Sequence, residues 1–298
     1  MQNRHTTLVT LVLLLVAISG CNKTEENQLY YKEAGIGETI LFIHGGQEDY
    51  RVFMPQVDAL KDSYHVVTYS RRYNYPNPKK YESGDVYDPF TEAKDLASLI
   101  KDLNTKSIHL VGHSYGGLIA MSYTHRNPDK VKSLTLSEPP LLRLPGCETW
   151  YQFAKEGLID NVATAFKSND TTLVMKALFE FFVGADIQDQ VPPEILQSLK
   201  ANLTEMEALV NSGNPFPDLN TNLKPRIMLL TSGNTMPMLN CTNEVLVKEM
   251  PQAKHVHIPD AAHDMWMTHP LLLSQYVKDF ISGNMDDVLS ENELESNE

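Results

Sequence analysis

Basic residues are in short supply in this sequence, with 25 Lys and Arg against 38 Asp and Glu and a formal net charge of −13. A nucleic-acid partner needs a basic surface that neutralises phosphates, so that class of function is set aside. Cysteine is scarcer still, numbering three, which allows at most one internal disulfide. Long apolar runs are missing except for one near the start, Leu8 to Ile18, and it is too short to span a bilayer comfortably. No segment repeats itself. What remains is a 298-residue chain with 42% hydrophobic side chains, enough for one large core or for one core carrying a sizeable insertion.

The opening stretch "MQNRHTTLVTLVLLLVAISGC" places Arg4 before the apolar run and small residues before Cys21. That plan is an export signal, and its ending "ISGC" resembles a bacterial lipoprotein signal. The resemblance implies a signal peptide over 1–20, lipidation of Cys21, a polar tether over 21–28, and a membrane-anchored protein of the bacterial cell envelope facing the periplasm or exterior. Several acyl chains on one residue anchor stably, because each buried methylene adds about 0.8 kcal/mol. Cys147 and Cys241 are then left in an oxidising compartment, as a disulfide or as two buried thiols; spacing does not choose between them. The end, 284–298, carries acids and no base and is expected to stay solvated.

Short apolar runs alternate with helical spacing through the middle of the chain. "TILFIHGG" (39–46), "YHVVTYS" (64–70), "KSIHLVG" (106–112), "VKSLTLSEPP" (131–140), "RIMLLTSG" (226–233) and "KHVHIPD" (254–260) read as strands. Between them lie helical patterns, including 90–103 with Ala93, Leu96, Ala97 and Ile100 on one face. This alternation predicts an α/β fold with a mostly parallel sheet covered on both faces. "LYYKEAG" (29–35) is expected to form an antiparallel edge hairpin with the strand starting at Thr39. Residues 141–222 hold helical segments and no convincing strand, which predicts a helical cap inserted into a core made of 29–140 and 223–283.

One motif sits where chemistry is expected. "LVGHSYGG" runs from a buried strand into a helix, and Gly-x-Ser-x-Gly has mechanical meaning in that setting. Glycines two residues either side of Ser114 permit a turn too tight for a Cβ, and the helix that follows aims free N–H groups at the same spot. Ser114 is therefore the candidate nucleophile. A serine hydroxyl needs a base. Among His255, His257, His263 and His269, the one in "PDAAHDMW", His263, lies in a loop directly after the last strand and can reach back across the sheet edge. His255 and His257 share one strand face as surface or packing residues. A metal held by His255, His257 and His263 lacks a further ligand at a familiar spacing, so no metal is expected.

With "HGG", "GHSYGG" and "AAHDMW" in that order, the sequence resembles the α/β-hydrolase family from about Leu29 to Phe280. The resemblance implies an oxyanion hole made by the N–H of Gly46, with Gln47 as the neighbouring alternative, and the N–H of Tyr115; His44 is read as orienting the loop. The family's usual acid position, after the strand that follows the cap, reads "SGNTMPMLN" and holds Asn234 but no carboxylate. "LSEPPLL" offers Glu138 one strand earlier, as some family members do, and Glu138 is taken as the orienting acid ahead of Asp260, Asp264 and Glu244. The implied activity is acyl transfer to water without a cofactor, on a small, uncharged, partly apolar ester. The cap aromatics Trp150, Tyr151, Phe153, Phe179, Phe181 and Phe182 suit such a substrate or simply form cap core. The rival reading is a non-catalytic envelope protein that keeps the fold to bind a ligand or partner.

Overall fold

A computed structural model describes residues 28–285. The signal sequence, Cys21, most of the tether and all but the first two residues of the acidic end lie outside the described residues. Seven strands form one sheet in the order β1-β3-β2-β4-β5-β6-β7. They are β1 (Tyr31–Ala34), β2 (Thr39–Ile43), β3 (His65–Tyr69), β4 (Ile108–His113), β5 (Val131–Ser137), β6 (Arg226–Asn234) and β7 (Lys254–Ala262). Every pairing is parallel except that of β1 with β3.

That exception corrects one expectation. β1 is an antiparallel edge strand, but it pairs with β3 and not with β2. Both sides of β2 are taken by parallel neighbours, β3 and β4, so the short turn after β1 carries the chain past β3 instead of closing a hairpin.

The strands bury both faces, as continuous apolar runs require when helices cover each side. On β2, Leu41 and Ile43 face one core with Leu96 and Ile100 of α2 (Pro89–Asp102) and Leu118 of α3 (Tyr115–Arg126). Ile40 and Phe42 alternate to the opposite core, where they meet Val57 of α1 (Met54–Leu60), together with Trp266, Leu273 and Val277. The α2 pattern is thus the strip predicted from spacing, started by the Asp88 side chain, which accepts from the Thr91 N–H at 2.7 Å.

Between β5 and β6 the chain makes α4 (Glu148–Ala154), a π-helical turn over Lys155–Asp160, α5 (Asn161–Phe166), α6 (Thr171–Val183), α7 (Pro193–Ala201) and α8 (Leu203–Asn211). No strand interrupts them among the described residues. The continuous run "PEILQSLKANLTEMEALV" breaks at Asn202, because that side chain turns inward: its Nδ2 donates to Asp49 Oδ2 at 2.9 Å and its Oδ1 accepts from the Tyr75 N–H at 2.8 Å. After β6 come α9 (Pro237–Glu249), then β7, α10 (Met265–Thr268) and α11 (Pro270–Ser282). Cys147 and Cys241 form a disulfide with Cα atoms 6.0 Å apart, which ties the start of the insertion to α9 across 94 residues of sequence. Reduction is expected to lower the melting temperature, by the equivalent of about 2–5 kcal/mol for a native disulfide of this kind; thermal scans with and without dithiothreitol measure it.

Candidate active site

β4 ends at His113 and α3 begins at Tyr115, so Ser114 is the whole connection between them. It has φ 50° and ψ −123°, a backbone conformation that costs a non-glycine residue on the order of 1–3 kcal/mol. The glycines make that turn possible. A Cβ on Gly112 would stand 2.6 Å from the Gly116 carbonyl oxygen, and one on Gly116 would stand 2.2 Å from the Ile43 carbonyl oxygen. Both obstacles are backbone and cannot rotate away. Gly116→Ala is therefore expected to destabilise the protein by about 3 kcal/mol or more, or to prevent soluble expression; chemical denaturation against wild type measures the loss.

The C-terminal ends of neighbouring strands bring Glu138 and His263 to the same edge. Glu138 follows β5, directly beside β4, and is fully buried with φ 47°. Its Oε2 accepts from His263 Nδ1 at 2.8 Å and from the Thr235 hydroxyl at 2.8 Å. Its Oε1 accepts from the Ser232 N–H and Ser232 hydroxyl, both at 2.9 Å, and from Asn243 Nδ2 at 3.0 Å. Burial alone would raise this carboxyl, but the hydrogen bond and charge of His263, with the Ser232 and Thr235 donors, outweigh it and hold the group at about 2. A carboxylate is fixed there, and it fixes His263 in turn: the ring's Nδ1 carries the proton, leaving Nε2 to act. The Ser114 hydroxyl makes no hydrogen bond among the described residues.

The other acids stand elsewhere. Asp260 lies 3.6 Å from His269, and Glu244 accepts from Asn240 on its own helix at 2.9 Å. Asp264 precedes α10 at the surface, and Asn234 is exposed. His255 and His257 share the Thr231 hydroxyl, at 2.9 and 3.0 Å. No cluster of His, Cys, Asp or Glu suited to a metal occurs among the described residues.

The loop after β2 explains which N–H groups are available. The Gly45 N–H donates to Glu48 Oε2 at 2.7 Å, and the Gln47 N–H donates to Glu205 Oε2 at 2.9 Å. Gly46, between them, has an N–H without a protein acceptor among the described residues. The Tyr115 N–H, at the first turn of α3, is likewise uncommitted. Gln47 is thereby removed as an oxyanion donor, because its N–H is already engaged by a buried carboxylate. Sequence reading missed that carboxylate: Glu205 belongs to α8, 158 residues away. Glu205 also accepts from Arg71 Nη2 at 3.0 Å and Tyr87 hydroxyl at 2.8 Å, so the insertion grips the loop through a fully buried ion pair. Arg71 Nη2 donates as well to the Gly45 carbonyl at 2.9 Å.

His44 is set by the same arginine. The Arg71 N–H donates to His44 Nε2 at 3.1 Å, while His44 Nδ1 donates to the Gly45 carbonyl at 2.9 Å. Burial, together with the Arg71 charge, pushes His44 down to about 3, so it stays neutral and takes no part as a base. Two further groups outside the predicted set, Glu48 and His113, also sit against this loop.

A parallel sheet whose strand ends carry serine, acid and histidine, with an all-helical insertion between β5 and β6, is one architecture. Residues 38–225 match the family model of the alpha/beta hydrolase fold. The chain belongs to that family. As an α/β-hydrolase it is 32% identical over 120 residues to a cis-3-alkyl-4-alkyloxetan-2-one decarboxylase of Shewanella oneidensis, covering 40% of this chain and 38% of that protein. The chain spans less than two thirds of the length of the curated relatives it matches. Among solved structures, a thermophilic esterase from Thermogutta terrifontis superposes with a TM-score of 0.68 at 22% identity, covering 86% of this α/β-hydrolase and 93% of the esterase. A bromoperoxidase from Bacillus anthracis gives 0.69 at 19% identity, covering 85% and 95%. At those identities the likeness is one of fold.

Proposed function

We propose that this α/β-hydrolase is a serine hydrolase that transfers an acyl group to water. Ser114 Oγ attacks the carbonyl, His263 Nε2 takes the proton and returns it to the leaving oxygen, and Glu138 steadies the imidazolium. Gly46 and Tyr115 N–H groups receive the oxyanion. Each such donor is worth on the order of 3 kcal/mol in comparable sites. Water then repeats the sequence on the acyl-serine, releasing acid and restoring Ser114.

The observation that carries the reading is the buried Glu138 carboxylate, held by donors on every side and bonded at 2.8 Å to His263 Nδ1. A purely structural acid does not need a partly exposed histidine as its partner.

The substrate is proposed to be a small, uncharged, partly apolar ester. The insertion acts as a cap above the oxyanion loop, where Met206 Sδ lies 4.0 Å from the position a Gly46 Cβ would take and Met175 Sδ accepts from Gln47 Nε2 at 3.6 Å. Thioether side chains offer apolar, adaptable contact to an acyl chain. Turnover of p-nitrophenyl acetate and butyrate by the purified protein tests the assignment. Hydrolysis that saturates and disappears in Ser114→Ala supports it; a folded wild type with no turnover above background overturns it.

We further propose that Cys21 carries lipid and places the enzyme on a bacterial envelope membrane. The reading rests on the sequence before Cys21; within the described residues no helix is long and apolar enough to cross a membrane. Mass spectrometry of membrane-extracted protein tests it, with a diacylated or triacylated Cys21 at the N-terminus expected and an unmodified one contradicting it.

A further inference from the structure

A second acid–histidine pair lies behind the first. His113, the residue before Ser114, is buried, and its ring centroid lies 4.7 Å from that of His263. Its Nε2 faces the carbonyl oxygen of His263 itself at 2.9 Å, and its Nδ1 faces Glu48 Oε2 at 3.4 Å. Neither a carbonyl oxygen nor an ionised carboxylate can donate, so both ring nitrogens must carry protons. The same Glu48 oxygen accepts the Gly45 N–H at 2.7 Å, immediately beside the free Gly46 N–H. One carboxylate therefore joins the oxyanion loop to a histidinium that holds the backbone of the loop carrying the base.

We propose that Glu48 and His113 are positioning residues for acyl transfer, a charged brace that sets the spacing between the Gly46 donor and His263. The proposal rests on the serine-hydrolase reading above. Sequence separation shows why a brace is useful: Glu48 and His263 sit on the connections after β2 and β7, and His113 is the last residue of β4. β2 and β7 do not pair directly, because β4, β5 and β6 lie between them in the sheet.

The charges around His113 agree with a persistent cation. Burial works against it, but the Glu48 charge and hydrogen bond, with Glu138 beyond, raise His113 above the ordinary imidazole range. Burial would raise Glu48, yet the charge and hydrogen bond of His113, with the Gly45 N–H, hold it at about 2. The groups that face the brace are thus Glu48 and His44 from the β2 connection, Glu138 from the β5 connection, and the ring and carbonyl of His263 from the β7 connection.

The experiment is steady-state ester hydrolysis across pH for wild type, Glu48→Gln, His113→Ala and His113→Gln, with ¹⁵N-histidine NMR on wild type and Glu48→Gln. His113→Ala is expected to lower kcat by about 10²-fold, the usual effect of a misplacement near 1 Å, with KM changed by less than about threefold. His113→Gln can still donate to the His263 carbonyl, so it should recover most of kcat while losing the alkaline decline that deprotonation of His113 gives wild type. Glu48→Gln should move that decline to lower pH, since the stabilising charge is gone. The NMR spectrum should show a doubly protonated His113 at neutral pH in wild type and a larger neutral fraction in Glu48→Gln. A His113→Ala kcat within about twofold of an active wild type, or a singly protonated His113 in wild type, overturns the brace and leaves the serine-hydrolase reading standing. An inert wild type overturns that reading and the brace with it.

Discussion

Ser114→Ala should hydrolyse esters on the order of 10⁶-fold more slowly than wild type, the cost seen when the nucleophile of such a unit is removed. The substitution deletes one hydroxyl and keeps the Cβ, so the strained turn at φ 50° is preserved and stability should stay within about 0.5 kcal/mol. Ser114→Gly separates the two effects. Glycine adopts positive φ without the penalty a side chain brings, so this variant should be equally inactive yet more stable by about 1 kcal/mol. Kinetics paired with urea denaturation measure both. Loss of activity together with a gain in stability would show strain retained at Ser114 for the reaction.

Glu138→Gln is expected to lower kcat by about 10⁴-fold while leaving the fold intact. The amide oxygen can still accept from one side, but the amide NH₂ must point at a group that now donates. The Ser232 N–H and Asn243 Nδ2 are fixed donors to this carboxylate, whereas the Ser232 and Thr235 hydroxyls can turn round and His263 can shift its proton to Nε2, the tautomer that cannot act as base. About 1–3 kcal/mol of stability should go with the lost partner, and the imidazolium formed in the transition state loses its counter-charge.

The acid limb of the stability profile checks the same residue. Glu138 is depressed from its ordinary 4.5 to about 2 in the folded protein. A lowered carboxyl stabilises the fold above its unfolded value and ceases to do so as pH falls through the folded one. Wild type should therefore lose on the order of 3 kcal/mol between pH 4.5 and 2 from this group alone. Glu138→Gln should lack that part of the slope. Denaturation midpoints at pH 5, 4 and 3 for both proteins decide it.

How much of this could be read from the sequence depends on the distance over which each interaction acts. The strand before Ser114, the paired glycines and the helix after it are local, and the parallel sheet was legible from the alternation of runs. Glu138 could be nominated because two prolines mark a strand end, and its position directly after β5 makes physical sense. β5 lies between β4 and β6, so Ser232 of β6 can supply donors while the long glutamate side chain reaches the loop after β7. The engagement of Gln47 was not legible, since its partner Glu205 arrives from the insertion, and nothing local to either residue indicates that they meet. The pairing of β1 with β3 was hidden for a related reason: chain proximity favoured a hairpin, and only the occupancy of both β2 edges forbids it. The pairing of Cys147 with Cys241 likewise depended on the approach of α4 and α9. His113 was in view throughout, inside "GHSYGG", but its partners lie 65 and 150 residues away.

If Ser114 is an activated nucleophile, it should react covalently with an electrophilic serine probe. Purified wild type, Ser114→Ala and His263→Ala would be treated with a fluorophosphonate probe and the modified peptide mapped by mass spectrometry. Rapid, stoichiometric modification is expected at Ser114, with none in Ser114→Ala and strongly slowed modification in His263→Ala. A folded wild type that remains unlabelled, or a label that persists in Ser114→Ala, would contradict it.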